Sequence, residues 1–189
     1  MSTVNPDYPI IRDGILHAPY FIFLRGASLP TDAEVLGLLG LRRLFGLRNY
    51  TRQAMPDDLP SGAYVYLGEQ GGWFLVADDW SYRLWHRKDR PQLLARLAAR
   101  WELFALRRAD VDDGYEFVHF VGGLRVRERR VASPHYTDRI VSVDFGTPFR
   151  CENDALYDKD PDDIVWTVAD EVGVPRTHVR STLRRYGRG

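Results

Sequence analysis

Residues 102–133 read ELFALRRADVDDGYEFVHFVGGLRVRERRVAS. Three runs rich in aromatic and branched apolar residues are separated by DVDDG and by GG, the punctuation of strand ends. The stretch predicts a β-meander. Its last run sets Leu124 and Val126 against Arg125, Arg127 and Arg129. Alternation with period two predicts that one face of that strand is covered and the other is wet.

The same reading extends outward in both directions. AYVYLGEQGGWFLVADD (63–79) is two apolar runs joined around Gly68 to Gly72, a β-hairpin. HAPYFIFLRG (17–26) predicts a buried strand, and RIVSVDFGTPFRCE (139–152) adds one or two more around Gly146-Thr147-Pro148. Helices fall between these groups. Thr31 with Glu34 forms a capping box ahead of Val35, Leu38 and Leu39, with Gly40 as the stop. RPQLLARLAARW (90–101) places Pro91 at a helix start and Leu94, Leu97, Ala98 and Trp101 along one face. DPDDIVWTVADEVG and PRTHVRSTLRRYG then predict a C-terminal helical hairpin over 160–189, after an irregular lead-in at 1–14. Strands grouped in hairpins, with helices between the groups, define an α+β class with an antiparallel sheet rather than βαβ units. The expectation is a single domain over 1–189.

Composition narrows the function. Of 189 residues, Lys+Arg and Asp+Glu each number 26, so the net charge is zero. Nucleic-acid binders usually carry a basic excess, because phosphate neutralisation drives their affinity. Only Lys88 and Lys159 are lysines; a GC-rich bacterial genome accounts for that bias, and so would selection of arginine forks for carboxylate or phosphate. The single cysteine, Cys151, excludes an internal disulfide and a cysteine-based zinc site. The sequence has no run of about 20 apolar residues and no signal-peptide pattern, so a cytoplasmic setting without a membrane partner is expected.

The chemistry-bearing residues are few. Ala169, Gly173 and Val179 have the spacing of a helix-turn-helix over 164–186, whose second helix would present Arg176, His178, Arg180, Arg184 and Arg185 to DNA. Against that stand the acids Asp158, Asp160, Asp162, Asp163, Asp170 and Glu171, and the position of Thr182 where an apolar residue is expected. Trp80, Tyr82 and Trp85 form an aromatic cluster of the residue types that anchor interfaces. The histidines His17, His86, His119, His135 and His178 show no metal-binding spacing, and Ser133 lacks a GxSxG setting. No catalytic residue, metal or cofactor is assigned from the sequence.

The order GGWFLVADDW (71–80), an arginine-rich helix, DVDDGYEFVHFVGGLRVRE (110–128) and VADEVGVPRTHV (168–179) resembles small actinobacterial α+β proteins, some of them of the polymorphic-toxin immunity type. The resemblance spans residues 62–183. It implies a stoichiometric protein-binding role without catalysis, with the terminal helix pair belonging to the domain. The leading expectation is accordingly a binding protein that occludes a protein partner, with Arg125, Arg127 and Arg129 as its face and Trp80, Tyr82 and Trp85 as its anchors. A DNA-binding regulator using 164–186 is the alternative from another class. A small-ligand domain or enzyme, with a pocket between sheet and helices, is the third.

Overall fold

Strand β1, Tyr20–Arg25, is apolar on both faces, and a strand of that composition belongs in the middle of a covered sheet. In the computed structural model it lies there, paired antiparallel with β4 (Trp73–Asp78) on one side and β5 (Glu102–Arg108) on the other. The structure describes residues 20–41, 50–53, 65–78, 84–108, 114–132, 139–175 and 183–188. The remaining strands are β2 (Tyr50–Gln53), β3 (Val65–Gln70), β6 (Tyr115–Val121), β7 (Leu124–Ala132), β8 (Ile140–Gly146) and β9 (Arg184–Arg188). They form one nine-stranded sheet in the order β2-β9-β3-β4-β1-β5-β6-β7-β8, and every neighbouring pair is antiparallel. Hairpin and meander therefore appear as the sequence predicts.

Alternation along the strands supplies two cores. Phe21 and Phe23 of β1 and Phe104 and Leu106 of β5 face helices α3 (Asp154–Tyr157) and α4 (Pro161–Val172), which contribute Leu156, Ile164, Trp166 and Val168. Tyr20, Ile22 and Leu24, with Leu103 and Ala105, face α1 (Asp32–Leu38) and α2 (Arg90–Ala98), which contribute Val35, Leu36, Leu93 and Leu97. The result is a helix–sheet–helix sandwich, and burying two faces of a sheet this wide is what removes most of its apolar surface from water. On the α1/α2 face the helices stop short of the outer strands: α2 touches β5, and β7 and β8 continue beyond it.

Local signals set the helix ends. Thr31 accepts from the Glu34 backbone N–H while the Glu34 carboxylate accepts from the Thr31 N–H, the reciprocal capping box. Gly173 ends α4 at φ 81°, and its carbonyl accepts a 2.8 Å hydrogen bond from the Trp73 indole. Among the described residues no helix is long and apolar enough to cross a membrane.

The C-terminus differs from the expected helical hairpin. Its first helix is α4, but Arg184–Arg188 is a strand, inserted between β2 and β3 with Tyr186 opposite Val65 and Arg185 opposite Tyr66. Leu183 joins the α4 core while Tyr186 packs on the opposite one, so the period here is two. The helix-turn-helix over 164–186 accordingly has no helix at Arg184 and Arg185. Arg184 instead grips Asp32, the first residue of α1, through two hydrogen bonds of 2.7 and 2.8 Å. Arg176, His178, Val179 and Arg180 lie outside the described residues, as do Trp80, Tyr82, the lead-in 1–14, His17, Ser133 and His135.

Candidate binding site

The register between β6 and β7 decides where the arginines go. Phe120 pairs with Arg125 but His119 pairs with Arg127, leaving Val126 as the extra residue of a β-bulge. Simple alternation would put Arg125, Arg127 and Arg129 on one face; the bulge sends Arg125 to the α2 side and leaves Arg127 and Arg129 on the α4 side. The expected wet arginine face is not formed.

Arg127 is in fact 1 % exposed. Its guanidinium binds Glu152, whose side chain is fully buried, as well as Asp144, and it donates to the Phe145 carbonyl at 2.9 Å. Arg129 donates to the Tyr115 hydroxyl at 3.1 Å, pairs with Asp144, and lies 3.9 Å over the Tyr157 ring. These two arginines fasten β7 and β8 to the segment that carries α3. A buried guanidinium is tolerable only when its charge and donors are met in this way.

On the α2 side the outer strands and the helix start enclose a pocket of about 350 Å³. Helix α2 contributes Arg90, Pro91 and Leu94; β6 contributes Glu116, Val118 and Phe120; β7 contributes Arg125, Glu128 and Arg130. Its charges form a chain. Arg90 meets Glu116 at 3.3 Å, Arg130 donates to Glu116 at 2.6 Å and to Glu128 at 3.2 Å, and Arg125 pairs with Glu128. Burial pushes the Glu116 carboxyl above its ordinary pKa, and the charges of Arg90 and Arg130 only partly offset that. Trp85 packs behind two of the lining arginines: the guanidinium of Arg90 stacks 3.6 Å over its ring and that of Arg130 lies at 5.7 Å, with that of Arg107 at 4.6 Å. Trp85 also meets Tyr20 edge to face, with ring centroids 5.5 Å apart. Of the residues singled out in the sequence, Arg125 thus lines this pocket and Trp85 packs against its arginines, whereas Arg127 and Arg129 are interior to the other face.

Arg90, Glu128 and Arg130 carry no signal in the sequence. The signal for Glu116 was present: it is the one carboxylate on the β6 stripe Glu116, Val118, Phe120. Glu102 and Glu116, a carboxylate pair that the sequence allows across neighbouring strands, lie on opposite faces of the sheet. Glu102 instead binds Arg25 at 2.8 Å and His119 Nε2 at 2.9 Å. Burial would raise its pKa, but those two partners outweigh that and hold it below the usual carboxylate range. The Phe149 ring lies 5.7 Å from that of His119, with Phe104 edge-on at 6.0 Å, so this ion pair is a clasp between β1, β5 and β6. Burial, then Glu171 and Glu152, push the Cys151 thiol up to about 12, which leaves it protonated and a poor nucleophile at neutral pH. No cluster of three metal-ligating side chains occurs among the described residues.

Beyond the pocket the sheet ends in β8, whose outer side has no strand neighbour among the described residues. Large apolar side chains are exposed on β8, Ile140 by 53 %, Val141 by 47 % and Phe145 by 42 %, and at the start of β7, Leu124 by 72 %. What fold and site together define is a three-layer antiparallel α+β protein with a charged, half-apolar pocket beside an open apolar edge. Compared with known proteins, the chain matches no family model, no curated protein and no solved structure.

Proposed function

We propose that this chain is a non-catalytic binding protein that docks a protein partner on its outer strands, β7 and β8, in the stoichiometric, occluding manner that the immunity-type resemblance implies. The observation that carries this reading is the composition of the open edge. Among the described residues no strand pairs with the outer side of β8; an edge of that kind can accept an added strand, and proteins without a partner usually blunt it with lysine, proline or charge. Ile140–Gly146 reads IVSVDFG, with one charge in seven residues and no lysine or proline. Exposed apolar side chains of this kind are what a partner would desolvate.

The test is a photo-crosslinking side chain placed at Val141 or Phe145 in the native host, with Ala33 on the exposed face of α1 as the control site. The expected result is an adduct with one heterologous protein from the edge positions alone. That adduct should disappear when Ile140→Lys and Val143→Lys are combined, since edge lysines block strand addition. No adduct from the edge, or the same adduct from Ala33, would remove the reading.

A further inference from the structure

Independently of what docks on β8, we infer that the pocket between α2 and strands β6 and β7 binds a small monoanionic carboxylate carrying a compact apolar body. The first argument is which charges a ligand meets. The two carboxylates lie beneath, with the Glu116 and Glu128 side chains 3 % and 10 % exposed, while those of Arg125 and Arg130 are 43 % and 36 % exposed. Three guanidiniums against two carboxylates leave one positive charge, and the part of it that faces the opening is cationic.

The second argument is donor counting. Each guanidinium has five N–H donors in a planar fork and no acceptor. Arg130 spends Nε on Glu116 and Nη2 on Glu128, and Arg125 spends Nη1 on Glu128. Arg90 reaches Glu116 through Nη2, and its buried Nη1 has no hydrogen-bond partner among the described residues. Buried donors in excess of acceptors are costly, and an incoming carboxylate supplies two acceptor oxygens in the geometry a guanidinium fork matches. A single surplus positive charge suits a monoanion better than a dianionic phosphate.

The third argument is the remaining wall. Pro91, Leu94, Val118 and Phe120 offer only carbon, so the ligand needs an apolar portion next to its charge. A volume of about 350 Å³ is at the low end for small-molecule sites, which calls for a short aryl or alkyl group rather than a long chain.

The experiment is calorimetric titration of the full chain with 3-phenylpropionate, 3-phenylpropionamide, phenethylamine and inorganic phosphate, alongside the Trp85 indole N–H resonance, assigned through Trp85→Phe. Binding of 3-phenylpropionate with a shift of the Trp85 signal is expected, and the amide, amine and phosphate should each bind at least about tenfold more weakly. Arg125→Gln, at an exposed position that leaves the buried pairs of Glu116 intact, should weaken the carboxylate by about tenfold. Arg130→Gln should do so as well, provided its circular dichroism shows a folded chain. Four results would each overturn the inference: no carboxylate binding up to about 10 mM, equal binding of the amide, preference for the amine, or a bound carboxylate that leaves the Trp85 signal in place. Unchanged binding in Arg125→Gln would do the same.

Discussion

Glu116 shows how one side chain ties the interior to the outer strands. It stands on β6, flanked on both sides, opposite Arg107 on β5 and Arg130 on β7, and burial dominates its ionisation. Because its folded pKa lies above its unfolded value, the folded chain holds the proton more tightly. Its protonation therefore favours folding at acid pH, and that contribution is lost as pH rises through the folded pKa. Glu34, Asp89, Glu102 and Glu171 act oppositely: each is held low, so each contributes above its unfolded pKa and loses that contribution as pH falls. The difference in unfolding free energy between wild type and Glu116→Gln, followed by urea denaturation from acid to neutral pH, isolates the first effect from the second. Wild type should lose stability relative to the variant as pH rises; a flat difference, or one of opposite sign, would mean that Arg90 and Arg130 overcome the burial. Arg127 illustrates the other outcome for a buried charge. Glu152 and Asp144 meet its guanidinium directly, so the ion is retained inside the fold rather than displayed on it.

At the scale of elements, the β7–β8 hairpin is the least forgiving part of the sheet. Gly146 has φ +86°, and a Cβ there would sit 2.0 Å from the Val126 carbonyl oxygen, the carbonyl of the bulge residue itself. Gly146→Ala is therefore expected to cost about 1–3 kcal/mol for the left-handed backbone alone, with the carbonyl contact in addition. A lower urea midpoint at unchanged slope measures it; a midpoint within error of wild type would show that the hairpin end adjusts freely. The strong elements were legible in the sequence because their periods agree with their packing: the capping box of α1, the Pro91 start of α2, the Gly71-Gly72 hairpin and the apolar stripe of α4. Strand β9 was not. Arg184, Arg185 and Tyr186 are too few and too charged to display a period, while Ala169, Gly173 and Val179 already had the spacing of a helix pair. The site was half legible for a related reason. Residue type picked out Trp85 and Arg125, but the bulge at Val126, which parts Arg125 from Arg127, leaves no mark on a pattern of alternating arginines. Arg90 and Glu116 come together only through the packing of α2 on β6.

Across the whole molecule, the sheet joins contacts of very different cost. Strands β5, β6 and β7 follow one another in the chain and pair through short connections, so their pairing closes little loop entropy. Strand β9 is the opposite case. It enters between β2 and β3, and Arg184 reaches Asp32 across 152 positions of sequence. Distant pairings of this kind are paid for before they are rewarded, which favours a transition state built on the meander with β9 docking afterwards. Leu183, buried beside α4 at the entry to β9, reports on that order. In stopped-flow refolding, Leu183→Ala should leave the folding rate nearly unchanged and speed unfolding, a φ-value of about 0–0.3. Phe117→Leu, in the centre of the meander, should instead slow folding, because the Phe104–Phe117 contact it weakens, with rings 6.4 Å apart, forms early. If Leu183→Ala slows refolding in proportion to the stability it removes, β9 is part of the nucleus, and the C-terminal strand organises the sheet rather than completing it.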